Sequence, residues 1–223
     1  MTPAPTPPIP ILTPAYAAGG GIPMAALRAA EDAGWTRHED EAANVTYVSP
    51  DERCRLEFGP ETERYLSAFE LLWVADFRPG AGQVGAWAAS FGDQTPAEAI
   101  GAFIGTLTDP DGLRETRPGY AAGAGAPRRV FEAAQAAGWT QTRTEGVITH
   151  TSPDGAAHVD YDTAPPVVPG QFLAEGPHWR FAYRDADGKR DWTAQFTAHT
   201  PAEALAAFLA ALTDPAGPGP DRA

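Results

Sequence analysis

The chain repeats itself, and that limits its architecture more than any other feature. Residues 11–110 and 115–215 carry the same order of short motifs at an offset of 103 to 106 residues. Tyr-Ala-Ala-Gly at 16–19 returns at 120–123, Ala-Gly-Trp-Thr at 33–36 at 137–140, and Ser-Pro-Asp at 49–51 at 152–154. Trp87-x-Ala89-x-Phe91 returns as Trp192-x-Ala194-x-Phe196, and Thr-Pro-Ala-Glu-Ala at 95–99 returns at 200–204. A duplication with about 105 residues per unit predicts two copies of one fold, each the size of a small domain.

Within a copy the order of elements can be read twice. Proline near the start and glycine just past the end (Gly34, Gly138) predict helices over Pro23–Ala33 and Pro127–Ala137. Ser49–Glu52 and Ser152–Gly155 predict hairpin loops. Placing the loop there sets Val45 against Leu56 and Tyr47 against Cys54, and in the second copy Ile148 against Val159 and His150 against Ala157. Trp73, Ala75 and Phe77 alternate with Leu72, Val74 and Asp76, and Trp179, Phe181 and Tyr183 alternate in the same way, as strands with one buried face do. Thr95 and Thr200, with Pro at the next position and Glu98 or Glu203 three residues on, predict a capping box on a closing helix. The expected fold class is α+β: two tandem α-β-β-β-β-α repeats, each a four-stranded antiparallel sheet covered by helices on one face, packed as an intramolecular pseudo-dimer. The expected boundaries are a disordered Pro-rich tail at 1–10, the first repeat at 11–110, a linker at 111–118, the second repeat at 119–215 and a second disordered tail at 216–223.

The motif order Tyr-Ala-Ala-Gly, Gly-Trp, Ser-Pro-Asp, Trp87-x-Ala-x-Phe91 and Thr95-Pro96, present in both copies, resembles the SPDY-domain family, an actinomycete family of unknown function. The resemblance implies tandem domains and an actinomycete source. It brings no activity, ligand or catalytic residue. Glu52 stands where the second copy has Gly155, which predicts a different turn there.

Charge and cysteine content narrow the function classes. The net charge of -13 argues against a general polyanion binder, because such binding needs many Lys and Arg to displace counterions. The charge is uneven: residues 1–112 hold 16 acidic and 6 basic side chains, residues 113–223 hold 13 and 10. The copies are expected to share a core pattern and differ on their surfaces. One cysteine, Cys54, excludes an intrachain disulfide framework. The Pro-rich start does not read as a signal peptide, and no run of about 18 apolar residues suggests a membrane span. A cytoplasmic protein is expected.

No catalytic set assembles from these residues. The glycine-rich loops before the first helices lack the preceding parallel strand and following Lys-Ser/Thr of nucleotide-binding loops. His150 and His158 flank one hairpin, but the register puts them on opposite faces, short of the converging donors a metal needs. Cys54 is expected to be buried and inert. Ser49 and Ser152 read as turn residues. No cofactor and no metal site is expected, and the chain is not expected to be an enzyme.

Two surfaces remain. Leu72, Val74, Ala86 and Ala88 make the outer face of the first sheet apolar where the second copy is polar, which suggests a protein interface, with an unidentified partner or a second copy of the chain. Arg180, Arg184, Lys189 and Arg190 gather around the Asp187-Gly188 turn, which suggests single-stranded nucleic-acid binding as the alternative. The expected function is therefore a non-catalytic protein-binding module.

Overall fold

The computed structural model describes residues 14–62, 71–78, 86–108, 126–164, 178–189 and 191–214. Both tails and the linker fall outside these residues. The first copy contributes α1 (Met24–Asp32), β1 (Thr36–Glu39), β2 (Val45–Val48), β3 (Cys54–Phe58), β4 (Leu71–Phe77), β5 (Trp87–Gly92) and α2 (Ala97–Thr108). The second contributes α3 (Ala126–Ala136), β6 (Thr140–Thr144), β7 (Val147–Thr151), β8 (Ala157–Asp162), β9 (Trp179–Arg184), β10 (Asp191–Phe196) and α4 (Ala202–Thr213). A short 3-10 turn, Ala15–Ala17, precedes them.

The fold is α+β, but among the described residues each copy has five strands and not four. The strand missing from the sequence reading is the first. β1 and β6 are exposed at every position, so they carry no alternation of apolar and polar residues to reveal them. They are the two edges of the sheet, where polar and charged side chains such as the Arg37–Glu39 pair discourage pairing with another chain.

All ten strands form one antiparallel sheet in the order β1-β2-β3-β4-β5-β10-β9-β8-β7-β6. The order is palindromic about the β5–β10 seam. So is the seam register: Phe91 faces Ala194, and Ala89 faces Phe196. The helices follow the same symmetry, α1 packing on α2, α2 on α4 and α4 on α3. Between seam and helices lie two equivalent pairs of phenylalanines, Phe91 with Phe196 and Phe103 with Phe208, all fully buried. Phe91 and Phe196 lie 5.4 Å apart between ring centroids, and each lies 5.4 to 5.9 Å from Phe103 and Phe208, within the range of favourable aromatic packing. The two copies thus share a single continuous core.

Local chemistry explains the ends of the elements. Gly34 and Gly138, at φ 74° and 79°, close the first helices. In each, the glycine N–H and the following tryptophan N–H reach back to the last-turn carbonyls, Glu31 and Ala30 in one copy, Gln135 and Ala134 in the other. The hairpin after β2 differs from expectation by two residues. Ser49 pairs with Cys54, so Tyr47 faces Leu56 and Val45 faces Phe58; likewise His150 faces Val159 and Ile148 faces Tyr161. A shift of two keeps every side chain on its expected face. The cause is the serine. Its Oγ accepts the N–H of Cys54 (or Ala157) and donates to Asp51 (or Asp154), which draws Ser49 and Ser152 into the ladder and leaves four residues for the turn. Glu52 takes the same left-handed conformation as Gly155, φ 60° against 74°, so the two turns do not differ.

The capping boxes do not form. Thr200 lies one residue too early, the helix is preceded by Pro201, and no side chain caps it. The hydroxyls of Thr95 and Thr200 are buried with no hydrogen-bond partner among the described residues. Glu203 instead pairs with Arg129 at 2.7 Å.

Candidate functional site

The residues singled out from the sequence do not gather into one site. Val74 is 4% exposed, Ala88 is half-buried and Ala86 is exposed. Leu72 departs from the expected alternation: it is the extra residue of a bulge between Leu71 and Trp73, and it packs against the core. The second copy does not cover this outer face with its described elements; it extends the sheet sideways. Arg180, Arg184 and Lys189 are exposed around one hairpin. Arg184 lies 3.3 Å from Asp191 and Lys189 lies 3.5 Å from Asp187, so acidic neighbours answer two of the cations. Arg190 lies outside the described residues.

The histidines separate as the register requires. His150 is fully buried, stacked on Phe131 with centroids 4.9 Å apart, and neither ring nitrogen has a hydrogen-bond partner among the described residues. Burial holds it below the usual imidazole range. His158 sits on the other face, 3.6 Å from Asp160. Among the described residues no group of three or more His, Cys, Asp or Glu is placed to hold a metal. Cys54 is buried beside Phe77, and burial pushes its thiol well up, the condition of an unreactive cysteine. The first glycine loop is occupied by its own protein: a Cβ on Gly20 would stand 2.3 Å from the Asp93 carbonyl oxygen, and Gly20 itself accepts the Ala97 N–H.

That loop carries the chain between copies, and it leads to an organised polar site among the described residues. The turn Ala15–Ala17 precedes the first copy in sequence but docks on the second. Tyr16 is 4% exposed. Its ring stands edge-on to Trp139 at 6.2 Å and tilted to Tyr183 at 5.8 Å. Its hydroxyl donates to Asp154 at 2.9 Å, and its carbonyl accepts the Trp192 indole N–H at 2.9 Å. The Ala15 N–H reaches the Asp214 carbonyl at 3.2 Å. Burial, then the hydrogen bond to Asp154 and its negative charge, push the Tyr16 phenol up to about 12. Burial alone would raise Asp154, but hydrogen bonds from Ser152, the Ala156 N–H and Tyr16 outweigh it and hold the carboxyl below its ordinary value.

The first copy has the same walls. Trp35, Asp51, Phe77 and Trp87 stand where Trp139, Asp154, Tyr183 and Trp192 hold Tyr16. They line a cavity of about 240 Å³. The Trp87 indole nitrogen is buried there with no hydrogen-bond partner among the described residues.

A family model for SPDY, a domain of unknown function (DUF317), matches residues 48–113 and 151–218, more than half of the chain. The chain belongs to the SPDY family. It carries two SPDY copies in tandem, and each match begins at the last residue of an equivalent strand, β2 or β7. Both matches take in Ser-Pro-Asp, the Trp-x-Ala-x-Phe strand and the closing helix; the Tyr-Ala-Ala-Gly segments and the first helices precede them. Neither a curated protein nor a solved structure matches the chain. No helix among the described residues is long and apolar enough to cross a membrane.

The tyrosine site was not found from the sequence, although its parts were. Tyr-Ala-Ala-Gly and Ser-Pro-Asp repeat without serving a helix or strand core. That is the signal a docking contact leaves, but its crossing from one copy to the other is a matter of tertiary structure.

Proposed function

We propose that this SPDY protein is a non-catalytic protein-binding module. The two repeats, acting as an intramolecular pseudo-dimer, present the helix-free face of one continuous sheet to a protein partner, and the first half makes the apolar contact. The supporting observation is a change of character across the β5–β10 seam. Val74, Ala86, Ala88 and Ser90 lie on one side, Arg180, Asp191, Thr193 and Gln195 at the equivalent places on the other. Val74 is already covered, so the contact is sought at Ala86 and Ala88 beside it. A photo-crosslinking residue at Ala86 in the full chain, with and without Ala88→Glu, tests this. Protein adducts that disappear with Ala88→Glu support the reading, and light scattering separates a second copy from a different partner. No adduct at all, in cells that express the protein from its own gene, removes it.

The second reading, single-stranded nucleic-acid binding, draws support from Arg180, which is exposed and makes no ion pair among the described residues. Fluorescence anisotropy with labelled oligonucleotides at low and moderate salt decides it. Binding that weakens steeply with salt and is lost in Arg180→Glu/Arg184→Glu would replace the protein-binding reading.

A further inference from the structure

We propose that the cavity of the first copy is a receptor for a tyrosine-bearing segment, and that its occupant is Tyr120-Ala-Ala-Gly of the same chain, so that the two copies exchange equivalent segments. The filled site supplies the template. In the second copy, one Tyr-Ala-Ala-Gly segment satisfies an indole N–H with its backbone carbonyl and a turn aspartate with its hydroxyl. In the first copy the same aspartate and indole, Asp51 and Trp87, face a cavity of about 240 Å³. That is smaller than the roughly 300–1,000 Å³ typical of small-molecule pockets and suits a single aromatic side chain. Trp87 is 3% exposed, its indole N–H has no hydrogen-bond partner among the described residues, and a buried donor in a native protein calls for an acceptor.

The occupant follows from sequence and connectivity. Residues 120–123 repeat residues 16–19, and no other stretch of the chain does. Tyr120 comes twelve residues after Thr108, which is itself on the cavity wall, and six before Ala126, where α3 begins. At about 3.3–3.6 Å per extended residue the chain has ample reach. The palindromic sheet and helix order supplies the symmetry: the segment before α1 docks on the second copy, and the equivalent place for a segment before α3 is the site on the first. This inference does not depend on the outer-face reading above, which concerns the opposite side of the sheet.

Cys54 makes the test direct. It is the chain's one cysteine, and it lines this cavity. In the full chain, the rate of Cys54 alkylation by iodoacetamide is expected to rise about tenfold in Tyr120→Ala, equivalent to about 1.4 kcal/mol of docking. The Trp87 indole resonance should move and lose exchange protection in the same variant while that of Trp192 stays. Tyr16→Ala should do the reverse. Tyr120→Phe, which removes only the hydroxyl destined for Asp51, guards against a folding failure: its Trp87 indole should stay protected. A synthetic Gly-Tyr-Ala-Ala-Gly peptide added to Tyr120→Ala should restore protection of Cys54. Equal alkylation rates and unchanged Trp87 signals in wild type and Tyr120→Ala would overturn the proposal. Protection of wild-type Cys54 that is lost on dilution would also overturn it, by assigning the occupant to a second copy.

Discussion

The two halves agree on the helix side of the sheet and differ around it. Trp73, Trp87 and Phe91 of the first half and Trp179, Trp192 and Phe196 of the second occupy the same places, each at most 5% exposed. Around that frame Tyr47 corresponds to His150, Cys54 to Ala157 and Glu52 to Gly155 across the duplication. The constant positions are those that must fill a shared interior at close-packed density, where even a methylene is felt. The variable positions lie in turns, on the outer face, or where a polar tip finds its own solution. Tyr47 reaches out of the core and donates its hydroxyl to Glu31. His150, at the same place, is fully enclosed with no hydrogen-bond partner among the described residues. One scaffold therefore supports one side chain that satisfies its polar atom and one that does not.

The severest way to break the equivalence is to remove an indole from each half. Trp87→Ala and Trp192→Ala should each cost about 3–5 kcal/mol, as large-to-small changes in packed cores do. Because the phenylalanines of both halves share one core, the loss should appear as a single unfolding transition at a lower denaturant midpoint, recorded alike by probes in either half. Two separated transitions would show that the halves fold independently. A wild-type midpoint for Trp192→Ala would remove that residue from the core.

His150 gives the next contrast, and it depends on pH. Its folded-state value lies below the ordinary 6.5, so as pH falls through about 6.5 the unfolded chain takes up a proton that the native state refuses. Stability should therefore decline on acidification from neutral pH, until the native imidazole also protonates. His150→Phe keeps a ring against Phe131 and removes the titration, so the difference in stability between variant and wild type should widen as pH drops from 7 toward 5. Urea unfolding across that range measures it. A constant difference would mean that His150 protonates in the folded protein as readily as in the unfolded chain.

How far the sequence exposes this fold depends on whether a residue's neighbours in sequence reveal its neighbours in space. The aromatic strands and the closing helices were legible because their burial is periodic. The hairpin parity was legible for the same reason, though the serine-to-backbone bond that sets the exact partners is a side-chain effect and shifted them by two. β1 and β6 were invisible because edge strands with no buried face carry no period. The bulge at Leu72 likewise escaped a strict alternation, and with it went one member of the expected outer face. The tyrosine site was the least legible, since nothing local says that Tyr16 belongs to Asp154, 138 residues away.

A smaller effect tests the ends of α2 and α4. Thr95 and Thr200 bury hydroxyls that have no hydrogen-bond partner among the described residues. Valine has the same shape without the polar atom, so Thr95→Val and Thr200→Val should leave stability unchanged or raise it by about 1 kcal/mol, the low end of the penalty for an unsatisfied buried group. A working N-cap would give the opposite sign, a loss of about 0.5–2 kcal/mol. Thermal denaturation of the two variants therefore distinguishes the observed helix start from the capping box that the sequence suggests. Both copies should give the same answer.

The finest contrast is in the turns. Glu52 and Gly155 hold the same left-handed conformation, and only one of them is a glycine. An L side chain there costs roughly 1–2 kcal/mol, while glycine gives back part of that through the greater freedom of its unfolded chain, about 0.5–1 kcal/mol. Glu52→Gly should therefore stabilise the protein by no more than about 1 kcal/mol, and Gly155→Glu should destabilise it by a similar amount. The Glu52 side chain is exposed, so little packing is lost in the exchange. Matched changes of opposite sign in the unfolding midpoint would show that the turns are interchangeable in energy as well as in shape. If Glu52→Gly destabilised the protein instead, the glutamate would be making a contact that offsets its backbone strain, and the likeness of the two turns would end at their backbone.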